Sequence, residues 1–137
     1  MKARGFLLVL ATNQPDVGRG LMDAAVLEVM HERLRAALPL DAIECCTSGD
    51  DTDPRRKPNP GMLLDAARRM DIDLARSWFI GDGAKDMIAG RAAGVRTLLL
   101  RTTYNAPAEE WADAIASSHD EAACMILDSI DEAVQKR

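Results

Sequence analysis

At 137 residues with 47% apolar side chains, the chain is long enough for a single domain with its own core, so disorder is not the default. A net charge of −5 argues against a general nucleic-acid binder, whose affinity rests on basic excess. No apolar run approaches membrane-spanning length, and residues 6–12 are too short for a signal-peptide core, so no membrane partner and a cytoplasmic location are expected.

Residues 6–11 form a continuous apolar run that suits a strand buried on both faces of a parallel sheet. Residues 21–38 then have helical spacing, with Met22, Ala25, Val26, Val29, Met30 and Leu34 on one side, expected to be core; Pro39 stops the helix. Residues 42–46 predict a second strand and 48–59 a polar loop, followed by a helix over 62–70. A third strand over 77–80 closes at Gly81-Asp82-Gly83, and a helix over 86–93 ends at Gly94, a favourable C-terminal glycine. Residues 95–100 predict a fourth strand, 107–117 a helix and 124–127 a fifth strand; Ser129-Ile130-Asp131-Glu132 then reads as a capping box opening a final helix. Strands alternating with helices at this pitch mean an α/β fold with a parallel sheet, in which ligands bind beyond the carboxyl ends of the strands.

With aromatics at 4%, the small aliphatic residues and Met must fill the core. Trp78 is expected in the core and Trp111 against the late helix, while His31 and His119 are expected on the surface. Cys45, Cys46 and Cys124 have no metal-pair spacing and are expected to be packed or idle thiols in a reducing compartment.

Three segments lie where such a sheet presents ligand groups. Thr12 and Asn13 follow the first strand, where a hydroxyl and backbone N–H groups suit phosphate oxygens; alone, they also read as an ordinary turn. Arg55, Arg56 and Lys57 form a basic cluster stiffened by Pro58 and Pro60, either a phosphate clamp or a solvated charged loop. Asp82 and Asp86 stand four apart where a strand turns into a helix, a spacing that lets two carboxylates share one hard cation such as Mg²⁺ or cap the helix. Lys85 between them is a neutralising partner or a substrate contact.

Together these residues resemble the haloacid dehalogenase (HAD) superfamily, in particular its capless branch of D,D-heptose 1,7-bisphosphate and histidinol-phosphate phosphatases. Thr12-Asn13-Gln14-Pro15-Asp16-Val17-Gly18-Arg19-Gly20 is similar to that branch's second motif, Arg56-Lys57-Pro58-Asn59-Pro60-Gly61-Met62 to its third, and Gly81-Asp82-Gly83-Ala84-Lys85-Asp86 to its fourth. The likeness runs over residues 3–101, with a weaker echo at 124–134. It implies a Rossmann-like core, a parallel sheet flanked by helices, as a single HAD-like domain over 1–137. It also implies a Mg²⁺-dependent phosphomonoesterase acting on a small sugar or polyol phosphate. In that reading Thr12 and Lys57 are catalytic, Asn13, Arg56 and Lys85 bind substrate, and Asp82 and Asp86 hold Mg²⁺.

The sequence departs from the pattern twice. The family's first motif, a D-x-D at a strand end that supplies the nucleophilic aspartate, has no counterpart: Asp51-Thr52-Asp53 lies in the polar loop and Asp71-Ile72-Asp73 follows a helix. The strand of that motif, which lies between the second- and fourth-motif strands in the family, is therefore expected to be missing, and the chain alone to be inactive. A truncated sequence, a rearranged or partner-completed binding domain and a different chemistry are the three readings of that gap. The alternative function is accordingly a non-catalytic phosphate-binding or interaction domain, with a homodimer completing its own sheet. Many members of the branch also bind zinc just before the third motif; here Asp50-Asp51-Thr52-Asp53-Pro54-Arg55 fills that segment, and no zinc is expected.

Overall fold

The computed structural model describes residues 1–135, so residues 136 and 137 of the expected 1–137 domain lie outside the described part. The chain divides into two compact units, Lys2–Ile72 and, with Met1, the residues from Asp73 onward. Each has a parallel sheet flanked by helices, so the expected α/β architecture is present with its hydrogen bonding arranged in two sheets.

In the first unit, β1 (Val9–Asn13) pairs in parallel with β2 (Ala42–Cys46), from Val9 opposite Ala42 to Asn13 opposite Cys46. The strand starts later than the apolar run and takes in Thr12 and Asn13. Leu8 N–H instead donates to the Asp41 carboxylate at 2.7 Å, which Lys2 also binds. After the short α1 (Pro15–Gly18), α2 (Ala24–Ala37) opens on Asp23, whose Oδ1 accepts from Ala25 N–H at 2.8 Å. α3 (Gly61–Met70) packs Met62 and Ala66, one turn apart, toward the strands.

The inward face of α2 is not the expected one. Leu27 and His31 are its buried residues, whereas Val26, Val29 and Met30 are 50%, 48% and 43% exposed. His31 was expected on the surface, but it stands one turn after Leu27 and one turn before Leu34, so the helix carries it inward with them. Glu44, in the middle of β2, is buried at 2% exposure and is held by Arg55 and Arg69.

In the second unit, β3 (Trp78–Gly81), β4 (Arg96–Leu100) and β5 (Ala114–Ala116) form a parallel sheet in that order. α4 (Ala84–Ala93) links β3 to β4 and ends at Gly94, whose φ of +82° is the left-handed conformation expected there. Met87, Leu99 and Ala108 cluster in the core.

The C-terminal third differs from expectation. Residues 107–117 do not form a helix; a 3₁₀ segment (Ala106–Trp111) leads into β5. Asp113 explains the turn, because its Oδ2 accepts from Thr97 N at 2.7 Å and Thr97 Oγ1 at 3.0 Å and ties the chain to the start of β4. Residues 124–127 are not a strand but part of α5 (His119–Gln135), with Ala122 and Ile126 buried one turn apart. The capping pair lies upstream of the expected one: Ser118 Oγ accepts from Glu121 N–H at 3.1 Å while Glu121 Oε2 accepts from Ser117 N–H at 2.7 Å. Ser129 sits inside the helix, donating to Ile126 O at 2.7 Å; the side chain of Glu132 lies outside the described residues.

Trp78 is half-buried with the Arg96 guanidinium 4.2 Å from its ring centroid. Trp111 is 38% exposed, with the Arg91 guanidinium of α4 5.9 Å from its ring centroid. His119 is exposed, as expected. Among the described residues, β1 and β3 each pair with a neighbour on one side, and no helix is long and apolar enough to cross a membrane.

Candidate functional site

In the first unit, the carboxyl end of β1 and the basic turn are joined by a reciprocal pair of bonds. Asn13 Nδ2 donates to Lys57 O at 3.1 Å, and Lys57 N–H donates to Asn13 Oδ1 at 3.1 Å. The Lys57 ammonium donates to Ala11 O at 2.9 Å, which places its charge at the strand end. Thr12 Oγ1 accepts from Gln14 Nε2 at 3.0 Å, leaving its hydroxyl proton to donate. The Lys57–Pro58 peptide is cis.

Of the two arginines of the cluster, Arg56 is buried and Arg55 is partly exposed. Arg56 is 7% exposed; its Nε donates to Asp51 Oδ1 at 2.8 Å and Nη1 to Ser48 O at 3.0 Å. Asn59 Nδ2 binds the carbonyls of Asp51 at 3.1 Å and Asp53 at 2.8 Å, so the polar loop is tied across itself. The geometry thus gives Arg56 a loop-holding role. Arg55 binds Glu44 Oε2 at 3.1 Å and also Asp65. Burial opposes ionisation of Asp65, but hydrogen bonds from Arg68 and Arg55 outweigh it and hold its carboxyl below the ordinary range. Burial, with the neighbouring Cys46, pushes the Cys45 thiol up.

In the second unit, Asp82 lies in the bend between β3 and α4, and Asp86 in the first turn of α4. Asp82 N–H donates to Asp86 Oδ2 at 3.3 Å. Gly83 is the N-cap of α4 and no side-chain cap bond is made, so Asp82 is not spent on capping. Gly81 is required by proximity: a Cβ there would stand 2.7 Å from Asp86 Oδ2. The missing side chain at 81 is the cradle in which the Asp86 carboxyl sits. Lys85 is exposed beside them.

Two carboxylates at a strand end are hard oxygen donors of the kind Mg²⁺ accepts, with water and phosphate oxygens completing its shell. Among the described residues there is no group of three or more His, Cys, Asp or Glu side chains that could hold a metal ion. A shallow cavity lined by Arg101, Thr102, Thr103 and Ser117 lies in the same unit, with Arg101 paired to Glu109 at 2.9 Å.

Sequence reading missed two residues that organise these segments, Glu44 and Asn105. A single acid inside the apolar run of 42–46 was the available signal for Glu44. Asn105, before Ala106-Pro107, reads as loop punctuation, yet it is buried and its Nδ2 donates to Asp82 O at 3.0 Å.

Residues 54–133, more than half of the chain, match the HAD-hydrolase-like family. The chain belongs to that family. Its HAD relatives include the D-glycero-beta-D-manno-heptose-1,7-bisphosphate 7-phosphatase of Bordetella bronchiseptica, 44% identical over 101 residues, covering 69% of this chain and 56% of that protein. The enzyme of the same name from Photorhabdus laumondii is 36% identical over 134 residues, covering 86% of this chain and 71% of that protein. The chain spans 56–59% of the length of the Bordetella and the two Pseudomonas relatives it matches. Among solved HAD structures, D,D-heptose 1,7-bisphosphate phosphatase from B. bronchiseptica, complexed with magnesium and phosphate, superposes with a TM-score of 0.82 at 33% identity, covering 93% of this chain and 78% of that one.

Proposed function

We propose that this HAD chain carries the phosphate- and Mg²⁺-handling residues of a phosphomonoesterase for a small sugar or polyol phosphate, of the heptose bisphosphate or histidinol phosphate type. The observation that carries the proposal is the Asp82–Asp86 arrangement over Gly81, at the carboxyl end of a parallel strand. Similarity to heptose bisphosphate phosphatases supports the choice of substrate class.

In this reading the Thr12 hydroxyl donates to a phosphoryl oxygen and the Lys57 ammonium sets a positive charge at the end of β1, where Asn13 fixes the Lys57 backbone. Asp82, with Asp86, would hold Mg²⁺, which when bound would supply positive charge to offset that of a phosphate. Lys85, which is exposed, meets substrate in this reading. Because no D-x-D ends an apolar strand in this sequence, the chain alone binds without turnover.

The test joins the chain to a D-x-D strand and measures phosphate release from heptose bisphosphate and histidinol phosphate. Hydrolysis that Asp82→Asn abolishes is the expected result; full activity in that variant removes the metal role. A second reading, a non-catalytic interaction domain that dimerises, is favoured by the exposed Val26, Val29 and Met30 on α2. A dimer in solution that Val29→Lys dissociates supports it, and a monomer counts against it.

A further inference from the structure

Asn105 is 6% exposed and each polar atom of its amide is engaged. Nδ2 donates to Asp82 O at 3.0 Å and to Leu100 O at 2.7 Å, and Oδ1 accepts from Thr102 N–H at 2.8 Å. Two carbonyls on one side and an N–H on the other fix which way the amide faces. One side chain thereby ties the bend after β3 to the end of β4.

The consequence falls on Asp82. Its carbonyl is held by Asn105 and its N–H by Asp86 Oδ2 at 3.3 Å, so both peptide groups flanking its Cα are anchored while the residue itself is exposed. We propose that Asn105 is a positioning residue that fixes the direction of the Asp82 carboxylate and so tunes divalent-cation affinity. The inference rests on the metal reading of Asp82 given above. Mg²⁺ demands near-ideal octahedral geometry, so a ligand on an unanchored bend binds it less well. Loss of a residue that orients a metal ligand lowers metal affinity about 10- to 100-fold. No other buried amide of the second unit reaches the Asp82 backbone among the described bonds.

The experiment titrates Mn²⁺, as a paramagnetic stand-in for Mg²⁺, into the full chain and reads free Mn²⁺ by electron paramagnetic resonance. Asn105→Ala is expected to weaken binding about tenfold, and Asp82→Asn to remove it. Asn105→Ser, which keeps one donor, is expected to fall between, and serves if the alanine variant does not fold. Thr97→Val is the control: it removes the Thr97 Oγ1 bond to Asp113 at the opposite end of β4 while keeping the backbone one, so it lowers thermal stability without changing Mn²⁺ affinity. Wild-type affinity in both Asn105 variants, with binding lost in Asp82→Asn, overturns the inference and leaves the metal reading standing. Equal weakening in Thr97→Val also overturns it, since the loss would then follow general destabilisation. Binding that survives Asp82→Asn, or is absent from the wild type, overturns the metal reading and the inference with it.

Discussion

Asn13 grips the peptide of Lys57 at both ends, accepting from its N–H and donating to its carbonyl, each at 3.1 Å. A side-chain amide here does what a strand partner would do, joining the end of β1 to the turn that carries the proposed phosphate-binding cation. Removing it leaves a partly buried N–H and carbonyl without those bonds, a loss of about 1–3 kcal/mol. Asn13→Ala is therefore expected to lower the denaturant midpoint at unchanged m-value and to weaken phosphate binding. Asn13→Asp, which keeps the acceptor but opposes the Lys57 carbonyl with an oxygen, is expected to be no better than alanine.

Glu44 is 3% exposed at its side chain, whereas its partners Arg55 and Arg69 are 37% and 59% exposed. Removing both arginines strands a buried charge, which costs about 3–5 kcal/mol. Removing the acid instead leaves two cations that already reach water. The double variant Arg55→Ala/Arg69→Ala is thus expected to be clearly less stable in urea than Glu44→Leu. The reverse order would mean that the arginines carry the network through packing rather than charge.

The same balance of local and distant contacts explains how much was readable in the chain. β2 falls on residues 42–46 as expected, and α4 ends at Gly94, because an apolar run between turns and a glycine with positive φ are local signals. The pattern Cys124-Met125-Ile126-Leu127 looks like a strand because four apolar residues in a row fit either period; the cap at Ser118 and Glu121, upstream of that apparent start, decides for helix. Residues 114–116 become a strand through Asp113 and Thr97, sixteen positions apart, which no local pattern records. At the site, the bond from Asp82 N–H to the Asp86 carboxyl follows from their four-residue spacing. Asn105, 23 residues beyond Asp82, was not legible.

Acid sensitivity follows in part from Asp41, Asp50 and Asp65. Asp41 is held below its ordinary 3.8 by the Lys2 hydrogen bond and then the Leu8 N–H. Asp50 is held down by Thr52 N–H and then its hydroxyl, and Asp65 by Arg68 and Arg55 against the opposing effect of burial. For each, the folded value lies below the unfolded one, so its contribution is fully present above the unfolded value. As pH falls below about 4 the unfolded chain takes up protons first, and the contribution is lost through the folded values. Urea midpoints are expected to be level from pH 7 to 5 in respect of these groups and to drop below pH 4; Lys2→Met should flatten part of that drop by releasing Asp41.

The thiols should react in the order of their surroundings. Cys124 is exposed on α5, Cys45 is half-buried with its thiol pushed up by burial, and Cys46 is buried. Alkylation at pH 8 followed by mass spectrometry is expected to label Cys124 first and Cys46 last. Labelling of Cys45 ahead of Cys124 would contradict the burial of β2.

Calorimetric titration of inorganic phosphate into the chain with Mg²⁺ present tests the functional reading most directly. Saturable binding that requires Mg²⁺ and is lost in both Lys57→Met and Asp82→Asn is the result expected if these residues handle phosphate and metal as proposed. Phosphate affinity that is absent in the wild type, or unchanged by both substitutions, would contradict it.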